Sequence, residues 1–188
     1  MKVDVVESLS GNALELAWEL YERAFRGMDG LAVQRHLMHR GEFDDVAGDR
    51  RVLKYCALDD DGTLCGLATY TNVLDAMPLI SPAYFARRWP KHYAEGRVWY
   101  CGFVAVDPTG NGAFPALVAA MYERADAHAW AGRGWVAALD LCRHNAVERR
   151  LDRAIASLLR RISAGRVRAE PADAQTYWVY ETVPRSGS

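Results

Sequence analysis

The spacing of apolar residues along the first third of the chain predicts helices at its start. In residues 9–26, leucine and aromatic side chains recur every three or four positions, which predicts a helix capped by Ser10. A second, short helix is predicted over residues 31–40. From there to Arg51 the sequence is polar, and we expect a loop.

From residue 52 the apolar period changes to two, as in a β-strand. Residues 52–58 and 63–71 are apolar, β-branched and aromatic, and the sequence Asp-Asp-Asp-Gly at 59–62 joins them. Aspartate tolerates turn geometry and glycine supplies a positive φ, so these residues suit a tight connection. The pattern therefore predicts a β-hairpin.

The rest of the chain alternates between strand and helix patterns. We predict a helix over 81–94, a strand over 98–106, a Gly-rich turn at 109–112, a helix over 115–131, a strand over 135–141, a helix over 146–162 and a strand over 175–182. This order predicts an α/β fold of the α+β type, in which helices pack on a mixed sheet. No internal repeat or linker divides it, so we expect one domain over residues 1–188, with its core at 5–182 and a frayed tail at 183–188.

Composition excludes several classes of protein. The chain has 188 residues, 23 basic and 24 acidic side chains and 51% hydrophobic residues, which suits one ordinary globular domain and excludes a disordered chain. The longest uncharged run, residues 108–122, is too short to span a bilayer and contains prolines and glycines. The amino terminus resembles no signal peptide and the four cysteines form no C-x-x-C pair, so we expect free thiols in a reducing cytoplasm.

Residues 98–121 combine a buried strand, a Gly-rich turn and a helix. Such a unit directs backbone N–H groups and a helix N-terminus toward one point, which suits a phosphate or pyrophosphate. A plain connection that binds nothing has the same pattern, so both interpretations stay open.

The order of these elements resembles the GNAT superfamily of acyl-CoA N-acyltransferases. The resemblance rests on the N-terminal helix, the Asp-Asp-Asp-Gly hairpin, the sequence Phe-Val-Ala-Val-Asp-Pro at 103–108, the strand that ends at Leu141, and Asn145 at the start of the next helix. It implies a mixed, mostly antiparallel central sheet that splays between the strands at 98–106 and 135–141, with pantetheine in the gap. The implied activity is transfer of an acetyl or another acyl group from an acyl-CoA cosubstrate to an amine of a small-molecule or peptide acceptor.

The resemblance also implies a set of cofactor-binding residues in the strand, the turn and the next helix. These are Phe103, Val104, Ala105, Val106, Asn111, Gly112, Ala113, Phe114, Ala116 and Asn145. The family's phosphate loop reads Q/R-x-x-G-x-G/A, and of its defined positions only Ala116 matches here. Phe114 stands where the first glycine is expected, and Pro115 removes a backbone donor. The alternative hypothesis is a GNAT-fold protein with a degraded loop that binds another ligand or a partner without acyl transfer.

Three residues are candidate proton carriers. Many family members have a tyrosine seven residues after the asparagine, where this chain has Asp152. Tyr100 on the central strand and His144 beside the asparagine are alternatives, because both side chains can transfer protons. Each also has a structural interpretation, as a surface aspartate, a half-buried aromatic and a polar loop residue.

Aromatic residues between the hairpin and the central strand are candidates for acceptor binding. We predict that Phe85, Trp89 and Trp99, together with Tyr100, line an apolar pocket. The helical spacing of Phe85 and Trp89 also fits packing in the core.

Other features give weaker predictions. His36 and His39 lie near two carboxylates but lack an evident third and fourth ligand, so no metal is predicted. Eight arginines between 143 and 168 fit a solvated helix face, and contact with CoA phosphates or nucleic acid are the alternatives. Because charge is balanced over the chain, we predict neither nucleic acid nor a membrane as a partner. The resemblance implies a small-molecule amine as the partner, and a homodimer stays open.

Overall fold

The computed structural model describes residues 1–28, 30–31, 37–78, 80–130, 133–174 and 177–179. The strands are β1 Lys2–Val6, β2 Leu53–Leu58, β3 Leu64–Thr71, β4 Val98–Val106 and β5 Val136–Ala138. The α-helices are α1 Gly11–Phe25, α2 Arg40–Gly48, α3 Pro82–Arg88, α4 Pro90–Ala94, α5 Ala113–His128 and α6 Leu151–Ile162. A π-helical segment, His144–Glu148, precedes α6.

The five strands form one sheet in the order β1-β2-β3-β4-β5. The first three pairings are antiparallel and the β4–β5 pairing is parallel, which confirms the predicted mixed, mostly antiparallel sheet flanked by helices. The predicted hairpin is present as β2 and β3. In its turn, Asp59 Oδ1 accepts hydrogen bonds from the N–H groups of Asp61 and Thr63, and Gly62 has a φ of +81°.

Helices cover both faces of the sheet. Helix α5 packs on one face through Leu117, Val118 and Met121, above strand residues such as Tyr70 and Trp99. Helices α1 and α2 pack on the other face, where the buried residues include Leu20, Tyr21, Phe43, Ala47 and Leu67. A third cluster, near α3 and α4, joins Leu74, Phe85, Val98 and Tyr100.

Two elements near the amino terminus differ from the sequence prediction. Residues 40–48, expected as loop, form α2, because His39 and Glu42 make a capping box and Phe43, Val46 and Ala47 bury one face of the helix. Strand β1 was not predicted, because its few apolar residues are too short a signal to indicate a strand without the pairing with β2. The predicted helix at 31–40 falls largely on residues 32–36, which lie outside the described part of the chain.

Later elements are shorter or interrupted relative to their predictions. The helix expected over 81–94 divides at Pro90, which disfavours helical backbone at Trp89. The helix expected over 146–162 divides into the π-helical segment and α6 at Arg150, which has a φ of +54°. Strand β5 has three of its seven predicted residues. Of the strand expected over 175–182 the structure describes only 177–179, and these three residues belong to no strand.

Within the described residues, no helix has the length and apolar character needed to cross a membrane.

Candidate active site

Strands β4 and β5 separate after a short pairing. The paired residues are Val98 with Val136, Trp99 with Ala137 and Tyr100 with Ala138. We call the end of this pairing, at Tyr100 and Ala138, the fork. Strand β4 continues to Val106, but within the described residues no strand pairs with its β5-side edge beyond the fork. The uncovered edge runs from Cys101 to Val106, and we call the space beside it, beyond the fork, the gap. A gap at this position is what the predicted splay of the two strands implies.

A β-bulge at Gly102 changes the direction of the strand beside the fork. On β3, consecutive residues Tyr70 and Thr69 pair with Cys101 and Phe103, so Gly102 is the extra residue. A Cβ atom at Gly102 would lie 2.5 Å from Met77 Cε and 2.6 Å from Thr69 Oγ1, so only glycine fits without movement of these side chains.

The bulge also changes which side chains share a face. Before it, Trp99 and Cys101 point toward α5, whereas after it Val104 and Val106 do. Tyr100 and Phe103 point to the opposite face. Strict alternation from Trp99 would have placed Phe103 with it, and the extra residue reverses this assignment.

The backbone of β4 offers hydrogen-bonding groups to the gap. The N–H of Asp107 donates to the carbonyl of Cys65 on β3, at 2.9 Å. By the alternation of an antiparallel ladder, Phe103 and Ala105 also direct their backbone groups toward β3. Val104 and Val106 direct theirs toward the gap, where an extended ligand could pair with them as an added strand does.

The turn after β4 is fixed by Asp107 and by two glycines. Asp107 Oδ1 accepts hydrogen bonds from the hydroxyl and N–H of Thr109, and its Oδ2 lies 3.0 Å from the Arg23 guanidinium. These donors, Thr109 first, hold the pKa of Asp107 below its usual value. Gly110 packs so closely on Cys65 that an added Cβ would lie 3.0 Å from its carbonyl oxygen, and Gly112 has a φ of +90°.

The N-terminus of α5 keeps two backbone donors despite the atypical loop sequence. Within the described residues, the N–H groups of Gly112 and Phe114 have no acceptor, whereas those of Ala113 and Ala116 donate to Gly110 and Gly112. Pro115 is the third helical residue, a position whose N–H has no partner within a helix. The Phe114 side chain packs against the core below α5, so it does not add its bulk to the solvent side of the turn. Asn111 is exposed.

Tyr100 contacts a carboxylate that the sequence analysis did not single out. Its hydroxyl donates to Asp140 Oδ1 at 3.2 Å, and Asp140 is exposed two residues beyond β5. Burial and the Asp140 carboxylate raise the pKa of Tyr100 well above its ordinary value, so its phenol stays protonated near neutral pH. Burial, with a smaller contribution from Asp140, raises the pKa of the Cys101 thiol to about 12.

Register was the signal that could have revealed Asp140. Val136 and Ala138 of β5 face the same side as Tyr100, and a period of two places residue 140 on that side as well. Asp140 can therefore be placed beside Tyr100 only when the register of β5 against β4 is known.

The other candidate polar residues lie on the chain after β5. His144 Nδ1 lies 2.7 Å from Glu148 Oε2, within the π-helical segment. Asp152 is exposed in the first turn of α6, where its negative charge interacts favourably with the helix dipole. It has no hydrogen-bond or ion-pair partner in the described residues. The amide oxygen of Asn145 is buried and has no hydrogen-bond partner in the same set of residues.

The predicted acceptor-binding aromatics divide between the two faces of the sheet. Phe85 and Trp89 stack at 6.0 Å between ring centroids, on the face that also holds Tyr100. Trp99 lies on the opposite face, stacked on Tyr70 at 4.7 Å and only 2% exposed. The expected grouping of Trp99 with Phe85 and Trp89 is therefore corrected.

Only one of the two histidines considered as metal ligands lies in the described part of the chain. His39 caps α2, and His36 lies outside the described residues. In the described part of the chain, no group of three or more histidine, cysteine or acidic side chains is placed to hold a metal ion.

Comparison with solved structures identifies the fold. No protein-family model and no curated protein matches the sequence. AAC(6')-Iy, solved in complex with the bisubstrate analog CoA-S-monomethyl-acetylneamine, aligns with a TM-score of 0.52 and 14% identity over 97% of this chain and 100% of that one. An aminoglycoside acetyltransferase from an uncultured soil metagenomic sample, in complex with sisomicin, aligns with a TM-score of 0.51 and 13% identity over 96% of each chain. A mutant of the BH1408 protein from Bacillus halodurans aligns with a TM-score of 0.51 and 14% identity over 95% of this chain and 100% of that one.

These similarities extend along nearly the whole chain. The protein therefore has a GNAT-like acetyltransferase fold. Sequence identities of 13–14% support the fold alone.

Proposed function

We propose that this protein is an acyltransferase that moves an acetyl or another acyl group from acyl-CoA to an amine of a small molecule or peptide. The observation that carries the proposal is the uncovered edge of β4, which runs from the fork toward the N-terminus of α5. From Cys101 to Val106 this edge is about 16 Å long at the usual rise per residue of a strand. An extended ligand could lie along this edge. The N-terminus of α5, which can bind a phosphate, lies beyond one end, and the Asp140 carboxylate lies near the other.

In this proposal the chain holds acyl-CoA mainly through its backbone. The pantetheine arm pairs with the gap-facing carbonyl of Val104 and with the gap-facing groups of Val106, and the pyrophosphate binds the N–H groups of Gly112 and Phe114. Main-chain donors at a helix N-terminus do not depend on side-chain identity, so Phe114 and Asn111 are compatible with binding. The buried amide of Asn145 is a further candidate contact.

A small-molecule amine is the acceptor that we propose. Two structural neighbours were solved with sisomicin and with a CoA-linked acetylneamine, which supports a small amine over a macromolecular acceptor. Phe85 and Trp89 lie on the same face as Tyr100, so they are the proposed apolar wall of the acceptor site.

The chemistry is aminolysis of a thioester. The neutral amine attacks the thioester carbonyl, and the gap-facing N–H of Val104 stabilises the oxyanion. Collapse of this intermediate breaks the C–S bond, and the proton lost by the amine nitrogen goes to the leaving thiolate, which departs as the free CoA thiol. Holding both reactants at the fork supplies much of the rate through positioning. Among the predicted proton carriers, Tyr100 is the one at the fork, whereas His144 is paired with Glu148 and Asp152 lies on an exposed helical turn.

Calorimetric titration with acetyl-CoA at low salt tests the binding half of the proposal. We take as reference a family member that binds acetyl-CoA with a dissociation constant of a few micromolar. Loss of one charge-assisted hydrogen bond weakens binding about ten- to a hundred-fold, so we expect a dissociation constant between about 10 and several hundred micromolar. Gly112→Asp should abolish binding, because it strains a left-handed residue and puts a negative charge where the pyrophosphate binds.

The matched control is Gly11→Asp. Gly11 also has a positive φ, at +55°, and also begins a helix, but that helix is α1. Equal loss of binding in both variants, or no heat and no thermal shift at millimolar acetyl-CoA, would contradict the proposal.

One observation favours a second candidate function. The loop keeps only Ala116 of the defined positions in the family pattern, so a GNAT-fold protein that binds another ligand or a partner without acyl transfer is the alternative. Absence of acetyl-CoA binding would support that alternative.

A further inference from the structure

We propose that this protein also accepts acyl groups from a carrier protein with an acidic surface, which bears the acyl chain as a thioester of a phosphopantetheine arm. The proposal rests on the acyltransferase function proposed above and adds a second class of donor to it. Its basis is a group of exposed arginines in the segment that follows β5, which we call the arginine surface. These residues are Arg143, Arg149, Arg150, Arg153, Arg160 and Arg161.

The arginine surface carries positive charge that the described residues do not balance. None of its six members has an ion-pair partner there, whereas Arg40, for example, pairs with both Glu15 and Asp44. Residues 143–161 contain two acidic side chains, Glu148 and Asp152, against these six arginines. In the rest of the chain, acidic side chains outnumber basic ones. The positive charge is therefore concentrated on this segment, where an anionic partner can use it.

Strand topology places the start of this segment near the N-terminus of α5. Strands β4 and β5 are parallel and each is followed by a helix, so α5 and α6 begin at the same end of the sheet. Arg166, just after α6, donates to the Tyr122 hydroxyl at 2.8 Å, which places the end of α6 beside the second half of α5. Arg149 and Arg153, at the start of α6, therefore lie toward the α5 N-terminus, beyond the end of the uncovered edge of β4.

The helical periodicity of α6 directs its arginines to solvent. Leu151 and Leu158 are seven residues apart and share one side of the helix, and Leu158 is buried in the cluster that contains α5 residues. Arg153 and Arg160 are also seven residues apart, and both are exposed on the opposite side. A partner can therefore reach these guanidinium groups without separating α6 from α5.

The turn before α5 suits the smaller anion of a carrier-bound arm. Coenzyme A joins its pantetheine to adenosine through a pyrophosphate, whereas a carrier protein holds the same arm on a serine through a single phosphate diester. Within the described residues, the α5 N-terminus has free N–H groups at Gly112 and Phe114, and Pro115 offers none. Asn111 stands where the family pattern has glutamine or arginine. These losses cost less with a carrier-bound arm, which has only one phosphate to hold.

The composition of the arginine surface favours a protein over a nucleic acid as the partner. Val147 lies among the arginines in the sequence and is 60% exposed, and exposed apolar residues next to arginine are typical of protein interfaces. A guanidinium binds both oxygens of a carboxylate, so aspartate and glutamate on a carrier protein are suitable partners. The excess of acidic residues in the rest of the chain repels the backbone of a nucleic acid.

The transfer step is the same with either donor. The amine nitrogen forms a C–N bond with the thioester carbon, and the C–S bond to the pantetheine arm breaks. The proton lost by the nitrogen goes to the leaving thiolate, so the carrier protein departs with a free thiol on its arm.

The test compares three acetyl donors that share the pantetheine arm, with benzylamine as the acceptor. They are acetyl-CoA, acetyl-phosphopantetheine and an acyl carrier protein whose phosphopantetheine arm bears acetyl. At low salt we expect kcat/KM to be at least about tenfold higher with the carrier protein than with acetyl-phosphopantetheine, because complementary charge accelerates association. Raising the salt concentration should remove most of this advantage.

Charge reversal on α6 tests the docking surface itself. Arg153→Glu should reduce transfer from the carrier protein about tenfold and leave transfer from acetyl-phosphopantetheine unchanged. The variant should stay folded, since a negative charge in the first turn of α6 interacts favourably with the helix dipole. The matched control is Arg124→Glu, because Arg124 is also an exposed helical arginine without an ion-pair partner in the described part of the chain, but lies in the second half of α5. This control should leave transfer from all three donors unchanged.

The outcomes distinguish the carrier proposal from the proposed function. If acetyl-CoA is a donor but the carrier protein is no better than acetyl-phosphopantetheine, or if both charge reversals act equally, the carrier proposal is wrong while the proposed function stands. Transfer from the carrier protein alone would uphold the carrier proposal and remove acyl-CoA from the proposed function. If none of the three donors reacts and calorimetry detects no binding of acetyl-CoA, the proposed function fails and the carrier proposal fails with it.

A DNA duplex is the competing ligand in the same assays. We expect it to bind more weakly than the carrier protein at equal ionic strength. If the duplex binds more tightly and Arg153→Glu weakens that binding, the arginine surface serves a nucleic acid and the carrier proposal is overturned.

Discussion

The two edges of β4 differ in nearly every respect. Along one edge, β4 pairs with β3 from Tyr100 to Val106, within the four antiparallel strands that α1, α2 and α5 cover. Along the other edge it pairs with β5 only from Val98 to Tyr100, and β5 contributes three residues of small or moderate size. One strand is thus both part of the core and one wall of the candidate site.

This difference predicts that stability and activity can be changed separately in this protein. The β3 side buries Tyr55, Ala57, Leu67 and Ala68 almost completely. The fork and the gap instead keep backbone groups and a carboxylate accessible, which costs packing but is what the proposed binding of acyl-CoA requires. Variants on the β3 side should therefore mainly lower the free energy of unfolding, whereas variants at the fork should mainly lower activity.

The largest expected effect on stability is that of Trp99→Ala. Trp99 is 2% exposed, stacks on Tyr70 and contacts the His128 ring edge-on. Truncation should lower the free energy of unfolding by about 3–5 kcal/mol, because it leaves a large cavity below α5. Urea denaturation measures this loss. A loss below 1 kcal/mol would contradict the placement of Trp99 in the core.

The sequence predicted the β3 side better than the fork, and the reason is physical. Alternation and the Asp-Asp-Asp-Gly turn are local signals, so β2, β3, β4 and most of α5 could be predicted. The bulge at Gly102 and the contact of Asp140 with Tyr100 depend on pairing between distant segments, and β4 is apolar along its whole length. Nothing in the sequence of β4 indicates that its pairing with β5 ends at Tyr100.

The next effect concerns Lys54, a buried charge on the β3 side. It is 1% exposed, and its ammonium donates to the backbone carbonyls of Glu7 and Asp49 at 3.0 and 2.6 Å. Burial lowers its pKa to about 8, below its value in the unfolded chain. Between these two values the unfolded state binds more protons than the folded state, so stability rises with pH in this window.

Urea denaturation at pH 7.5 and pH 10 measures this dependence. The wild type should gain roughly 2–3 kcal/mol relative to Lys54→Met over that interval, at about 1.4 kcal/mol per pH unit. The comparison with Lys54→Met removes contributions from other titrating groups. If the two proteins respond equally to pH, the Lys54 ammonium is not desolvated as the structure indicates.

A smaller effect is expected at the bulge that separates the two regions. Gly102→Ala puts a methyl group against Met77 and Thr69, and should cost about 2 kcal/mol through overpacking. Met77→Ala in the same protein should recover part of this loss, since it removes one of the two contacts. A double-mutant cycle measures the recovery, and perfect additivity would mean that Met77 does not fill this space.

The smallest effect on stability should come from Trp89→Ala, on the acceptor side. Trp89 is partly buried, stacks on Phe85 at 6.0 Å, and lies under the Arg88 guanidinium at 5.0 Å from its ring centroid. Because it lies at the edge of its cluster, truncation should cost about 1 kcal/mol, well below Trp99→Ala. The KM of this variant for an amine acceptor such as benzylamine should rise several-fold while acetyl-CoA binding is unchanged, because this face belongs to the proposed acceptor site and not to the proposed acyl-CoA site. Steady-state kinetics and urea denaturation on both tryptophan variants make the contrast direct: if Trp89→Ala unfolds as readily as Trp99→Ala and leaves the KM for benzylamine unchanged, this aromatic face is core and the acceptor binds elsewhere.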